Sequence, residues 1–421
     1  MRNGKVEEKE NSRLKKELEL KKFQFNSIYE FSESIYSSFQ VENILRIYFS
    51  TLMGQLGVSR IFLLDYGNKL FEKRGFKASD GEVKFLRREI KKLGTQWFYL
   101  TVDEFDPEMH ELKAFLESKK IRYLVNISES EKKEVILGMA AKLNKRELTT
   151  ENIEYAFFVS KFSVSAIDNA ILINKLIESK RMEHELKIAR DIQLSLLPQD
   201  IPRLKNFEIS VIYEPINEVG GDYYDILKKR DKLLPILIAD VEGKGLPAAL
   251  LAASSQAIFR SLNELYFFEP CKFISKANSL IHDFTRGNRF ITLFWMLVDD
   301  DSRTVTYVNA GHIEPLLIKK DKITPLSKGG FLSGFVETAE YEKDTVRLES
   351  GDLIAAFTDG VPEVENQAGE EFGVDAMIEF IQKNKHLSAE ELTASLFKSI
   401  KDFSQKKKFR DDFTFILLKA T

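Results

Sequence analysis

Several acidic residues lie at the beginning or the end of apolar segments that are predicted to be strands. The four segments are the Gly-Gly-Asp turn at Asp222, the strand end at Asp240, the strand end at Asp359 and the Asp411–Asp412 pair before a strand. One Asp-Gly at a strand end usually marks only a turn. Four acidic segments within one domain instead favour carboxylates that converge on a common site.

Converging carboxylates predict a site for hard divalent cations. Like charges held close together are costly unless a cation neutralises them. Carboxylate oxygens suit Mg²⁺ or Mn²⁺, and two such ions can activate water and stabilise the leaving oxygen of a phosphoryl group. Gly220, Gly221, Gly243 and Gly245 flank two of the segments and would let the backbone approach ions and phosphate oxygens closely.

The composition narrows the class of protein. Lys+Arg 62 and Asp+Glu 65 leave a net charge of -3, and no basic stripe predicts a nucleic-acid partner. The single cysteine, Cys271, excludes an internal disulfide, and 5 His in 421 residues disfavour a histidine-based metal site. Neither a signal peptide nor a run of about 18 continuous apolar residues is evident. We therefore expect a cytoplasmic protein with no membrane partner and two or three cores.

Residues 200–421 contain the elements that must position the aspartates. The predicted strands are FEISVIYE, LLPILIAD, FITLFWMLVD, TVTYVNA, PLLIKK, DTVRLE, DLIAAFTD and FTFILLKA. The predicted helices are LPAALLAASSQAIFRSLNEL, EPCKFISKANSLIHDFTR, GVDAMIEFIQKN and SAEELTASLFKSIKDFSQ. Antiparallel runs with helices inserted in blocks predict an α+β fold, an α-β-β-α sandwich rather than a doubly wound parallel sheet.

The N-terminal half has a different organisation. Residues 1–40 are predicted to form a signalling helix that is charged at its start and apolar towards its end. Residues 41–175 follow with a helix, a hairpin that turns at Asp65–Asn68, further strands and a final apolar helix. This α/β layout resembles a GAF-type sensory domain. No cyclic-nucleotide signature or chromophore cysteine is present, so a small ligand, a protein contact and a purely dimerising role all stay open.

A helical linker over residues 176–199 is predicted to join the two domains. The preceding helix continues to Pro198 without an internal Gly or Pro. Positions seven apart, counted from Leu172 and Lys175, are only half apolar, which predicts a weak coiled coil. Either the N-terminal and linker helices form a homodimer that can rearrange, or the linker packs plainly on the C-terminal domain.

Five motifs in a fixed order carry a second resemblance. GGDYYD, DVEGKGLPAALLA, YVNAGH, FTDGVPEVEN and RDDFTF resemble bacterial PPM-type metal-dependent serine/threonine protein phosphatases. The resemblance covers roughly residues 185–421 and is strongest for the branch that dephosphorylates anti-sigma-factor antagonists in stress-response partner switching. It implies hydrolysis of phosphoserine or phosphothreonine on a phosphorylated STAS-type protein, without a phosphoenzyme, under control of the sensory domain.

The resemblance also implies individual roles and two ions, Mn²⁺ or Mg²⁺. Asp240 would bridge the two metals, and the carbonyl of Val241 would bind one of them. Asp359 and Asp412 would complete the shell of one ion. Asp222 would help to hold the other ion, directly or through water.

Other residues in the motifs have open roles. Asp225 is either a site residue or a solvated strand residue, and Asp411 is either a site residue or a turn residue. Asn309 and His312 lie with Gly311 in a matching motif, where a structural turn is favoured.

The chain also departs from the family pattern. Glu242 stands where many eukaryotic members carry a histidine proposed as general acid, so a water or Lys244 would protonate the leaving group instead. No arginine that would bind phosphate is evident just before Gly220, and FLSGF around Ser333 replaces a common Pro-Leu-Gly pattern.

Two alternatives remain from other classes. GGD next to a carboxylate, together with a sensory domain, also describes nucleotide cyclases, although the later acidic segments would then have no role. A degenerate phosphoprotein-binding module would keep the fold without the metals.

Overall fold

The computed structural model describes residues 22, 26, 29–35, 38–94, 96–128, 134–320, 322–405 and 408–421. The chain divides into two compact units, Met1–Lys180 and Arg181–Thr421, and the division falls inside one helix. Most of the predicted signalling helix over residues 1–40 lies outside the described residues. Residues 29–35 are described, and they are helical.

The first unit contains one antiparallel sheet in the order β2-β1-β5-β4-β3. The strands are β1 (Ile61–Asp65), β2 (Leu70–Arg74), β3 (Tyr99–Thr101), β4 (Tyr123–Asn126) and β5 (Val135–Met139). The helices are α1 (Val41–Leu56), α2 (Asp80–Lys91), α3 (His110–Ser118) and α4 (Thr150–Leu196). One core joins α1, α4 and one face of the sheet, and a second joins α2, α3 and the other face. Strand β1, which lies between β2 and β5, is therefore buried on both sides, as its apolar sequence requires.

Helices α2 and α3 are not among the sequence predictions. Helix α2 is amphipathic but dominated by charged residues, and it buries only Leu86, Glu89 and Ile90. Its clearest signal is a capping box, in which the Ser79 hydroxyl accepts a bond from the N–H of Glu82 at 3.3 Å and the Glu82 carboxylate accepts one from the N–H of Ser79 at 2.8 Å.

The second unit contains two sheets. One has the order β13-β10-β9-β8-β7, with β14 also paired to β10, and the other has the order β12-β11-β15-β16-β6. The strands are β6 (Phe207–Glu214), β7 (Tyr223–Ile226), β8 (Leu233–Val241), β9 (Ile291–Asp299), β10 (Thr304–Ala310), β11 (Leu316–Ile318), β12 (Ile323–Pro325), β13 (Gly329–Gly330), β14 (Asp344–Arg347), β15 (Leu353–Phe357) and β16 (Phe413–Ala420). The helices are α5 (Leu246–Tyr266), α6 (Pro270–Thr285), α7 (Val374–Asn384) and α8 (Ala389–Phe403).

Three cores show how these elements are layered. One core contains residues from both sheets, including Ile236 and Phe294 from the first and Ile354 and Ile416 from the second. Helices α5 and α6 cover the other face of the first sheet, and α7 and α8 cover the other face of the second. Strands β8 and β16 thus lie buried near the middle of the unit, which holds their ends in fixed positions.

Helix α4 is the longest element and has a mixed character. Among the residues that the structure describes, it is the one helix with an 18-residue stretch long and apolar enough to cross a membrane. Part of that stretch, 44%, is buried inside the protein, and a buried core helix passes the same test of length and composition. The stretch is therefore weak evidence for a membrane span.

Candidate active site

Asp222 and Asp240 are brought together by the pairing of β7 with β8. Strand β7 was not predicted, but its antiparallel register places Tyr223 opposite Ala239. The residue before Tyr223 therefore faces the residue after Ala239, which brings Asp222 next to Asp240. Asp240 itself pairs with Thr292 of β9, so its backbone is held on both sides.

Asp359 and Asp412 are brought together by the pairing of β15 with β16 in the second sheet. Strand β15 ends just before Thr358, and its neighbour β16 begins just after Asp412. The antiparallel register pairs Phe357 with Phe415, and Thr358 N–H donates to the Thr414 carbonyl at 3.1 Å. Both aspartates therefore lie at one edge of the second sheet, where they face the Asp222–Asp240 pair.

Asp412 joins the two sheets. Its Oδ1 accepts a hydrogen bond from the N–H of Ile216 at 2.8 Å, and its Oδ2 accepts one from the N–H of Gly221 at 2.6 Å. A Cβ atom at Gly220 would lie 2.9 Å from Oδ2 of Asp412 and 2.6 Å from the Tyr213 hydroxyl. The first glycine of the turn is thus required by this close approach.

Asp222 is buried and held by two hydroxyls. Its Oδ2 accepts hydrogen bonds from Thr358 at 2.7 Å and from Thr414 at 2.5 Å. Burial raises the pKa of Asp222 well above its usual range, and the charge of Asp240 adds to this, whereas the two hydroxyls act in the opposite direction. Sequence reasoning missed both threonines, because a hydroxyl inside an apolar strand gives no distinct signal.

The pKa of Asp240 is raised because its carboxylate is buried and lies among other negative charges that are only partly compensated. Burial, followed by the charges of Asp359, Asp411 and Asp412, raises its pKa to about 7, and Lys244 opposes this shift. Burial also raises the pKa of Asp359, with Asp411 as the next contributor. The four carboxylates therefore share one electrostatic field, which a divalent cation would neutralise.

Lys244 and Asp411 form an ion pair at the rim of this cluster. The ammonium of Lys244 lies 2.5 Å from Oδ2 of Asp411 and donates to the carbonyl of Arg410 at 3.1 Å. Hydrogen bonding to Asp411 raises the pKa of Lys244, even though burial acts against it. The pair connects the Gly-rich turn after β8 to the start of β16.

Asp225 lies apart from the other aspartates. It is fully buried, accepts a hydrogen bond from the Tyr223 hydroxyl at 2.5 Å and forms an ion pair with Arg260 of α5 at 2.7 Å. The interpretation as a solvated strand residue is therefore wrong. The sequence could not show this, because Arg260 is 35 residues away and reaches Asp225 only in the folded chain.

Asn309 and His312 form a closed turn. The Asn309 side chain accepts from the His312 N–H at 2.8 Å and donates to the His312 carbonyl at 3.1 Å. The His312 ring is buried, with Nδ1 2.9 Å from the Thr292 hydroxyl. Burial lowers the pKa of His312 to about 4, although the backbone of Phe357 acts in the opposite direction.

Gln193 contacts the site from helix α4 and was not among the predicted site residues. Its Nε2 donates to the carbonyl of Gly220 at 2.8 Å, and its Oε1 accepts from the N–H of Gly220 at 3.1 Å. The side-chain amide of Gln193 thereby forms hydrogen bonds with both backbone polar groups of Gly220, the first residue of the Gly-Gly-Asp turn.

The donor set has the chemistry of an Mn²⁺ or Mg²⁺ site. Among the described residues, no group of three or more His, Cys, Asp or Glu side chains is already close enough together to hold a metal ion. The acidic cluster nevertheless fits a divalent cation, because each carboxylate oxygen has lone pairs beyond those used in the hydrogen bonds above.

Comparisons with known proteins show which family the chain is similar to. Residues 230–421 match the family described as Stage II sporulation protein E (SpoIIE). Phosphoserine phosphatase RsbU of Bacillus subtilis (strain 168) is 30% identical over 243 residues, which are 57% of this chain and 71% of RsbU. Phosphoserine phosphatase RsbP of the same organism is 26% identical over 186 residues, 42% of this chain and 45% of RsbP.

The fold has a counterpart among solved structures. The SiaA-PP2C domain of Pseudomonas aeruginosa superposes with a TM-score of 0.52 and 19% sequence identity, covering 57% of this chain and 98% of that domain. At that identity the likeness shows the fold alone. Together with the matches to RsbU and SpoIIE, it confirms the resemblance seen in the five motifs: the chain belongs to the SpoIIE-type family of PP2C phosphatases that includes RsbU.

Proposed function

We propose that the chain is a metal-dependent protein serine/threonine phosphatase that acts on a phosphorylated STAS-type antagonist protein. The observation that carries this proposal is the meeting of Asp222 and Asp240 from one sheet with Asp359 and Asp412 from the other. Membership of the phosphatase family supports the proposal, because all four residues lie in motifs that resemble those of the family. A nucleotide cyclase, the alternative from another enzyme class, would leave Asp359 and Asp412 without a role.

The four aspartates would hold two Mn²⁺ or Mg²⁺ ions, with Asp240 as the shared ligand and the Val241 carbonyl as a ligand of one ion. Bound ions of this kind activate water and stabilise charge on a phosphoryl oxygen. The chain contributes orientation: Asp412 fixes the turn that carries Asp222, and Thr358 and Thr414 fix the Asp222 carboxylate.

Protonation of the leaving serine oxygen is a separate requirement. Lys244 is a poor candidate for this proton, because its ion pair with Asp411 raises its pKa further above neutrality. Glu242 is half-buried, and its backbone N–H is bonded to the carbonyl of Phe290. We therefore assign leaving-group protonation to water rather than to Lys244.

Regulation would pass through helix α4. Leu194 and Leu197 at its end pack into the core beneath α5 and α6, and Gln193 brackets Gly220 of the site turn. Met182, Ile188 and Ile192 are exposed along the same helix, as a homodimer through this linker would require. A shift of α4 would therefore move the turn that carries Asp222.

The first unit would supply the signal as a GAF-like domain that receives a small ligand or a protein. Its five-stranded antiparallel sheet between two helical layers supports this layout. We propose a cytoplasmic location, because the most apolar part of α4 is already partly buried within the protein.

Hydrolysis of a phosphoserine protein by the full chain tests the proposal. We expect release of phosphate from serine-phosphorylated casein in Mn²⁺ or Mg²⁺, weaker hydrolysis of p-nitrophenyl phosphate, and loss of both activities in excess chelator with recovery after metal is restored. Turnover that persists unchanged in chelator would contradict the metal-dependent mechanism. A complete lack of turnover with added metal would favour the degenerate binding module.

A further inference from the structure

An aromatic surface, defined by Phe290, Phe331 and Phe335, lies beside the candidate active site. The rings of Phe290 and Phe335 are 6.3 Å apart, and those of Phe331 and Phe335 are 5.9 Å apart. Phe331 and Phe335 are each 52% exposed. Both belong to FLSGF, the segment that departs from the family pattern.

The exposed rings are held in place by a fixed loop. The buried side chain of Asn278 accepts from the N–H of Gly334 at 2.8 Å and donates to the carbonyls of Val336 at 3.0 Å and Glu337 at 3.2 Å. Ser333 exchanges two backbone hydrogen bonds with Ile291, at 2.8 and 2.9 Å. A loop anchored by a buried polar side chain, yet presenting large apolar rings to water, is typical of an interaction site.

The aromatic surface is continuous with the strand that carries Asp240. The N–H of Glu242, two residues beyond Asp240, donates to the carbonyl of Phe290 at 3.1 Å. The guanidinium of Arg289 reaches the carbonyl of Glu242 at 3.5 Å and is itself exposed. This arrangement places the positive charge of Arg289 against the Gly-rich turn that follows Asp240, next in sequence to Phe290.

The spacing gives an order of magnitude for how far from the phosphoserine a side chain would meet the rings. Adjacent strands lie about 4.8 Å apart, and the Phe290–Phe335 spacing adds 6.3 Å. Phe335 therefore lies on the order of 10 Å from the end of β8. An extended peptide rises about 3.3 Å per residue, so this distance corresponds to about three residues.

We propose that the aromatic surface docks the phosphoprotein substrate by taking an apolar side chain about three residues from the phosphoserine, with Arg289 next to the phosphate. The inference rests on the proposed function, because it assumes that the phosphate is brought to the acidic cluster. It goes beyond that function by assigning a specificity site for the substrate's flanking sequence.

Two synthetic phosphoserine peptides of equal length test this proposal. One carries Leu at the third position on both sides of the phosphoserine, and the other carries Ser at both positions. With the full chain in Mn²⁺, we expect kcat/KM to be about ten-fold higher for the Leu peptide. In the double variant Phe331→Ser/Phe335→Ser, the ratio of the two kcat/KM values should fall towards one.

A matched control is available in the same unit. Phe268 is 65% exposed and lies beyond the far end of α5, a helix of 21 residues that starts next to the Gly-rich turn. At 1.5 Å per residue it is about 30 Å from the site. Phe268→Ser should therefore keep the wild-type preference for the Leu peptide.

The outcomes separate this inference from the proposed function. A wild-type chain without preference between the peptides, or a double variant that retains the preference, would overturn the docking proposal. The same holds if the double variant loses only self-association in sedimentation, since the surface would then join copies of the chain. If the wild-type chain hydrolyses neither peptide nor p-nitrophenyl phosphate, the proposed function fails, and the docking proposal fails with it.

Discussion

The carboxylate of Asp412 accepts a hydrogen bond from the N–H of Gly221 at 2.6 Å, although the two residues precede strands of different sheets. The contact ties the start of β16 to the turn that presents Asp222. Asp412 therefore both holds the turn that positions Asp222 and adds negative charge to the site.

Asp412→Asn should destabilise the fold as well as the reaction. The amide has one acceptor oxygen where Asp412 uses two, so a backbone N–H of Ile216 or Gly221 loses its partner. We expect a loss of about 1–3 kcal/mol in the free energy of unfolding, measured in urea without metal. Asp411→Asn is the control, because its ion pair with Lys244 lies on the exposed rim and should contribute little. Equal stability of the two variants would contradict the role of Asp412 as a tie between sheets.

Thr414→Val should weaken metal-dependent activity without removing a proposed ligand. The substitution keeps the shape of the side chain but removes one of the two hydroxyls that orient Asp222. Loss of such an orienting contact typically costs about 10–100-fold in metal affinity or activity. Titration of activity with Mn²⁺ should show a higher half-saturating concentration. The control is Thr345→Val, at an exposed strand position, which should give the wild-type titration curve. If Thr414→Val also gave the wild-type curve, Thr414 would have no role in orienting Asp222.

Gln193→Ala should lower activity while leaving the fold intact. The variant frees both the N–H and the carbonyl of Gly220, so the turn before Asp222 loses its bracket from α4. We expect turnover of p-nitrophenyl phosphate to fall about ten-fold, with little change in the melting temperature. Ser195→Ala, an exposed position of the same helix, is the control. Full activity of Gln193→Ala would mean that α4 does not act on the site through this contact.

His312 should make the fold sensitive to acid. Burial lowers its pKa from 6.5 to about 4, so between these values the unfolded chain binds the proton more strongly than the folded chain does. The stability contributed by neutral His312 is therefore complete above pH 6.5 and is lost as the pH falls towards 4, by up to about 3 kcal/mol. Urea unfolding at pH 7 and at pH 5 should show a smaller difference for His312→Gln than for the wild type. An equal difference in both proteins would assign the acid sensitivity to other groups.

The sequence indicated the parts of the site that depend on strand ends. Asp240, Asp359 and Asp412 stand beside long apolar runs, so alternation and turn signals were enough to propose that they meet. The short strand β7 and the helices α2 and α3 were missed: β7 and α3 have only 4 and 9 residues, and α2 is dominated by charged residues.

Other contacts arise only from tertiary structure. Asp225 differs little from Asp222 in the sequence GGDYYD, yet one faces Arg260 and the other faces two threonines. Gln193 lies in a linker helix whose heptad pattern gives no hint that its amide reaches Gly220. Such roles depend on which distant element packs alongside, and local periodicity carries no information about that.

The shared role of Asp240 is the central claim, and calorimetric titration of Mn²⁺ into the wild-type chain and into Asp240→Asn tests it most directly, with phosphatase activity measured on the same samples. The wild type should bind two ions, whereas Asp240→Asn should lose tight binding and at least about 100-fold in turnover, with an unchanged circular dichroism spectrum. Near-wild-type binding and turnover by Asp240→Asn would contradict the bridging role and the two-metal site built on it.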